Sequence, residues 1–217
     1  MRTPGPLPPP SKDFHRIVLP IVTVGGRWFR THEIEHSPIH YGVGATWRFN
    51  DPERRYGVLY LAQQPAGAFI ESFGQLATTA EVPRRITSQE LSRKALSELA
   101  PGRPVRLDDL TGKGLARVGA DARIFAGDRK EAQAWSKAIH DHPSEVDGLL
   151  YPTRHDPMQL AAALFDRKLT WTELSRSSWL SLGPVLRDIL NAYDFALIET
   201  QLVQKPLRKG PTQSELF

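Results

Sequence analysis

The run Gly57-Val58-Leu59-Tyr60-Leu61-Ala62-Gln63 is apolar at both phases of a two-residue period. A strand built from it has no face that prefers water, so it must lie inside a sheet covered on both sides. Just beyond it, Pro65 suits the first position of a helix, where its missing N–H costs nothing. Ala66, Phe69, Ile70 and Phe73 then recur at i, i+3, i+4 and i+7, which predicts an amphipathic helix over 65–75 ending near Gly74. A buried strand followed by a helix with one apolar stripe requires a layered arrangement, because each element covers the other.

The rest of the chain reads as further strands and helices in alternation. Segments 15–24 and 27–32 are expected as short strands about the Gly25-Gly26 turn. A loop rich in Gly, Pro and His follows, then 45–50, then a turn at Asp51-Pro52. Ala132, Trp135, Ala138 and Ile139 predict a helix over 129–142, leading into a strand at 146–152 and a second apolar segment at 160–166 that fits an adjacent strand. A helix over 182–193 and a closing strand over 196–203 complete the pattern. The expected fold class is a single α/β (α+β) domain, and 217 residues suit one domain of that kind.

Charge and composition narrow the function classes. The formal net charge is +4, which on its own invites an acidic partner such as nucleic acid. The excess sits at the ends: Arg2, Lys12 and Arg16 against Asp13, and Lys205, Arg208 and Lys209 against Glu215. The body between them is formally neutral, which argues against a dedicated nucleic-acid face. With Cys at 0, disulfides, cysteine-ligated zinc and thiolate catalysis are excluded, in keeping with a cytoplasmic location. The longest apolar stretch, Ile17 to Val24, is interrupted by Pro20 and falls well below the ~20 residues of a membrane span. Five prolines in the first ten residues predict an extended, polyproline-like lead-in over 1–14 and not a signal peptide. The body is expected over 15–203, with a basic tail at 204–217.

Several motifs are present only in form. His32-Glu33-Ile34-Glu35-His36 matches the zincin pattern H-E-x-x-H, whose chemistry needs both histidines on one helical face. A β-like Trp28-Phe29-Arg30 precedes it and Pro38 follows, so a polar loop after a strand is expected and no metal is assigned. Gly42-Val43-Gly44 lacks the third glycine and the preceding strand of a dinucleotide fingerprint. His140, His142 and His155 lie near element ends and read as solvated or capping groups.

A scattered set is more informative: Arg30, Arg48, Tyr60, Glu71 and Thr153. Glu71 falls roughly 150° from the centre of the apolar helix face at about 100° per residue, so it points to solvent or into a cleft, with the small Ala68 beside it. The segments W-R-F-N (47–50), V-L-Y-L-A (58–62), A-F-I-E-S-F-G (68–74), A-W-S-K-A-I-H (134–140) and D-G-L-L-Y-P-T-R-H-D-P (147–157), in this order, resemble the RES domain family over about 27–170.

That resemblance implies a central mixed sheet flanked by helices, similar to the ADP-ribosyltransferase fold. It also implies an NAD-degrading toxin of a bacterial toxin–antitoxin pair. NAD is then the substrate, with phosphate (phosphorylase) or water (glycohydrolase) as acceptor and no resident cofactor. The implied partner is a helix-turn-helix antitoxin, with a homodimer inside the complex as a further expectation and no membrane or direct nucleic-acid contact. Matched to the family's motif positions, Glu71 and Arg48 are catalytic, while Arg30, Tyr60 and Thr153 bind the dinucleotide. Thr153 stands where the family has serine, keeping the hydroxyl and adding a methyl. The alternatives are a mono-ADP-ribosyltransferase acting on a protein and a non-catalytic NAD-binding module.

Overall fold

The computed structural model describes residues 5–78 and 82–199. In chain order its elements are β1 (Ile21–Val24), β2 (Trp28–Glu33), β3 (Val58–Ala62), α1 (Pro65–Phe73), β4 (Arg84–Thr87), α2 (Ser88–Arg93), β5 (Lys94–Pro101), β6 (Val105–Asp109), α3 (Lys113–Val118), α4 (Arg123–Ala126), α5 (Arg129–His140), β7 (Gly148–Pro152), β8 (Leu160–Phe165), β9 (Trp171–Ser178), α6 (Gly183–Ala192) and β10 (Phe195–Ile198). Eight strands form one sheet in the order β1-β6-β7-β8-β3-β2-β5-β9, and β10 pairs with β4 separately. Neighbours in the large sheet are antiparallel except β6 and β7. The sheet is therefore mixed, as the resemblance implies.

The doubly apolar β3 lies in the interior of this sheet, and its two phases enter different cores. Val58 packs with α5, through Trp135 and Ile139, while Ala62 joins Phe69 and Phe73 of α1 with Leu186 and Ile189 of α6. Leu59 and Leu61 face the other side with Trp28, Leu99 and Leu164, where Tyr41 and Trp171 help close the layer. Proline at the start of α1 and of α6 makes use of the unbonded first turn.

Two expected strands change their bounds. The strand expected over 15–24 is only Ile21–Val24, because Pro20 cannot donate to a ladder; Phe14–Arg16 forms a 3-10 turn instead. Gly26 takes the positive φ of a turn, as the Gly25-Gly26 pair implies, and the strands on either side pair elsewhere, β1 with β6 and β2 with β5 and β3. The closing strand is Phe195–Ile198; residues 200–203 of the expected strand, and the basic tail at 204–217, lie outside the described residues.

Residues 5–11 of the Pro-rich lead-in form no helix or strand, yet the segment is packed. Leu7 and Phe14 are buried in the α5 core. Trp135 Nε1 donates to the Pro8 carbonyl at 2.9 Å, and the Phe14 and Trp135 rings meet edge to face at 5.5 Å. Residues 5–14 thus strap the outer helices to the sheet. Leu7→Ala is expected to cost about 2–3 kcal/mol of stability, from lost transfer energy plus a residual cavity. Urea unfolding checks this; a cost under about 0.5 kcal/mol would show that the strap is not part of the core.

Candidate functional site

The sheet opens at its centre. β2 pairs with β3 at Phe29↔Ala62, and further along β3 its edge is met at Val58 by a bridge from Gly42. Between these points lies a cleft of about 1040 Å³, lined by β2 residues 29–33, by Val58, Tyr60, Leu61 and Ala62 of β3, and by Ala68, Glu71 and Ser72 of α1. The loop between β2 and β3, the N-terminus of α5 and the turn after β7 complete its wall.

That loop is held by hydrogen bonds rather than by regular structure. The Tyr60 hydroxyl accepts from the Phe49 N–H at 2.9 Å and donates to Asn50 Oδ1 at 3.0 Å, and Asn50 Nδ2 donates to the Gly42 carbonyl at 3.0 Å. Gln133 Nε2 of α5 donates to the carbonyls of Ala45 and Trp47, both at 3.0 Å, and Ser136 Oγ donates to that of Phe49 at 2.7 Å. The Tyr60 ring lines the cleft while its oxygen ties the loop down, and burial pushes the phenol well up from its usual range.

Four guanidiniums reach the cleft: Arg30 from β2, Arg48 from the loop, Arg129 from the first position of α5 and Arg154 from the turn after β7. Arg30 donates to the carbonyls of Pro38 at 2.5 Å and His40 at 3.3 Å, and burial lowers its pKa to about 10. Arg48 donates to the Gly127 carbonyl at 2.9 Å. Desolvation lowers its pKa, and the neighbouring charges of Arg154 and Arg129 lower it further. None of the four forms an ion pair among the described residues. Arg129 and Arg154 are exposed, whereas Arg30 and Arg48 are half-buried, and a half-buried cation without a countercharge carries an electrostatic cost that an anion in the cleft would offset.

Glu71 faces this cluster from α1. It remains accessible through the open side of the cleft, yet protein surrounds it closely enough that desolvation raises its carboxyl pKa. The Arg154 backbone N–H donates to it and the Arg48 charge attracts it, both opposing that rise. Of the other carboxylates lining the cleft, Glu33 is paired with Lys94 at 2.5 Å.

Thr153 stands apart from the residues with which it was grouped. It is 1% exposed and outside the cleft lining. Its Oγ1 donates to the Asp156 carbonyl at 2.8 Å and its N–H to that of Gln159 at 2.8 Å. The hydroxyl therefore shapes the turn that presents Arg154 and His155, because the nearer backbone acceptor claims it. Tyr193 Oη donates to Asp156 Oδ2 at 2.7 Å and braces the same turn. Gly74 lets it lie against the end of α1: a Cβ there would come within 2.5 Å of His155 Cδ2.

His32 and Glu33 lie extended on β2 and residues 34–36 turn away from it, so His32 and His36 do not share a helical face. His32 Nδ1 meets the Glu33 carbonyl and Nε2 meets Ser97 Oγ, both at 2.8 Å. Arg30, Arg48, Tyr60 and Glu71, expected together, do meet in one cleft. Sequence reasoning missed Arg129 and Arg154. The second adjoins Thr153 inside a quoted motif, whereas nothing local separates Arg129 from Lys130.

Three comparisons bear on this arrangement. A family model described as RES domain matches residues 26–178. No curated protein matches. Among solved structures, a chain in the crystal structure of the M. tuberculosis MbcT-MbcA toxin-antitoxin complex aligns with a TM-score of 0.55 at 21% identity, covering 78% of this chain and 92% of that chain. At that identity the likeness is one of fold.

Proposed function

Because this chain belongs to the RES domain family, we propose that it is a toxin that cleaves the nicotinamide–ribose bond of NAD, with phosphate or water as acceptor. The observation that carries the reading is the charge layout of the cleft: desolvated Glu71, attracted by Arg48, shares it with four arginines that form no ion pair among the described residues. A dinucleotide matches it. Its pyrophosphate suits forked guanidiniums, which bond phosphate oxygens in pairs as lysine cannot. The ribose beside nicotinamide is the part that becomes positive as the bond breaks.

In the reaction, the bond between ribose C1′ and the ring nitrogen breaks and its electron pair leaves with nicotinamide, which departs neutral. The sugar passes through an oxocarbenium-like state. Glu71 is assigned to stabilise that charge, with Arg48 and Arg30 holding the pyrophosphate or the incoming phosphate. A phosphate oxygen, or water that then releases a proton, forms the new bond to C1′. Tyr60 holds the loop that carries Arg48, and Thr153 serves through the turn that carries Arg154. The leaving group is already a neutral base, so no strong general acid is required.

The likeness in fold to a chain of a toxin–antitoxin complex supports an antitoxin partner, which the family resemblance makes one of the helix-turn-helix type, acting in the cytoplasm. No helix among the described residues is long and apolar enough to cross a membrane. The test is incubation of antitoxin-free protein with NAD, with and without phosphate, followed by product identification. Nicotinamide release stimulated by phosphate is expected. NAD left intact under both conditions overturns the reading, and ADP-ribose found on a protein redirects it to mono-ADP-ribosyl transfer.

A further inference from the structure

Trp28, Trp135 and Trp179 are almost wholly buried, and Trp171 is half-buried with Nε1 donating to the Tyr41 hydroxyl at 3.0 Å. Trp47 alone among the five is largely open, at 60% exposure, and it lines the cleft. A ring of that size left in water forgoes most of its burial energy. Its backbone, by contrast, is well anchored. The Trp47 carbonyl accepts from Gln133 Nε2 at 3.0 Å and from the Asn50 N–H at 3.3 Å, and the next residue, Arg48, is held through the Gly127 carbonyl.

A fixed backbone carrying an open aromatic face is a preorganised stacking surface, since little freedom remains to be lost on binding. Its neighbours indicate what stacks there. Arg48 follows it directly, with Cα atoms ~3.8 Å apart, and Arg129 and Phe125 line the same cleft. A flat π face one residue from phosphate-binding guanidiniums fits a ligand that carries a planar base and a diphosphate on one ribose.

We propose that Trp47 is the platform for the purine base of a bound nucleoside diphosphate group, and so sets the preference for ligands that carry the base over those that offer the diphosphate alone. This deepens the NAD reading and rests on it for the identity of the ligand. The binding claim is tested separately from turnover.

The probes are ADP, which has base and diphosphate but no nicotinamide bond to cleave, and inorganic pyrophosphate, which lacks the base. Both are titrated calorimetrically into full-length wild type, Trp47→Ala and Trp47→Phe. Base stacking on an aromatic ring predicts that Trp47→Ala weakens ADP about tenfold or more. Trp47→Phe should stay within about threefold of wild type, and pyrophosphate should bind all three proteins equally. Equal ADP affinity in wild type and Trp47→Ala overturns the proposal, and is also the result if Trp47 serves only a protein partner. Failure of wild type to bind ADP, or an equal loss of pyrophosphate in Trp47→Ala, overturns it as well. Trp47-dependent ADP binding without NAD turnover would sink the catalytic reading and leave the platform standing. NAD turnover with a KM indifferent to Trp47→Ala would do the reverse.

Discussion

Glu71→Gln is expected to lower kcat/KM for NAD cleavage by about 100- to 1000-fold, the range seen when one preorganised electrostatic group is removed. Glutamine keeps the shape of the side chain and its acceptor for the Arg154 N–H, so the variant isolates the charge. Because Glu71 faces the cleft and not a core cluster, thermal stability should stay unchanged or rise slightly, as a desolvated charge has been removed. The pH profile is a second readout. Desolvation holds the Glu71 carboxyl above its ordinary 4.5, and the proposed role needs the ionised form. The wild-type rate should therefore fall on the acid side at a pH above that value, and the residual rate of Glu71→Gln should lack this limb. A variant with full kcat/KM would falsify the assignment.

The second large effect concerns stability. Asp108 on β6 is wholly buried, and neither carboxyl oxygen has a hydrogen-bond partner among the described residues. Burial, helped by the charge of Asp109, raises its pKa from 3.8 to about 7. Between these values the folded protein holds a proton that the unfolded chain has released, so stability falls as pH rises. The contribution is fully present below about pH 4 and is lost as pH rises through about 7. At roughly 1.4 kcal/mol per unit, the loss above pH 7 is on the order of 4 kcal/mol. Asp108→Asn removes the ionisation with little change in volume. It is expected to match wild type near pH 4, to exceed it by a few kcal/mol at pH 8, and to show a flatter dependence between. Urea unfolding across this range decides the matter, and equal stability at pH 8 refutes it.

Several elements were legible because their signal is local. β3 and α1 announce themselves through two kinds of periodicity set side by side, and α5, β7, β8 and α6 are similarly marked by apolar spacing. β9 was not visible: as a sheet-edge strand it has no fully buried residue, so Trp171-Thr172-Glu173-Leu174-Ser175-Arg176 shows no alternation of apolar and polar residues. α2 carries a local signal of its own. Thr87 and Glu90 form a capping box, each side chain bonding the other's backbone N–H.

The site divides along the same line. That Glu71 leaves the apolar face of its helix follows from helical spacing alone, and the family motifs single out Arg30, Arg48 and Tyr60 in one dimension. Thr153 belongs to the same motifs, yet its hydroxyl turns to the Asp156 carbonyl, a competition that residue type cannot reveal.

By itself the sequence determined a layered α/β chain with β3 inside its sheet, because burial of neighbouring residues leaves a periodic trace along the chain. Only the tertiary structure decided that β2 parts from β3 beyond Phe29, and that Arg129 and Arg154 join Arg30, Arg48 and Glu71 in the resulting gap. Strand pairing depends on edges brought together from distant segments, and four cations reach one cleft with Glu71 only after that pairing. No local pattern records such a convergence, since each residue satisfies its own stretch of chain equally well wherever the others lie.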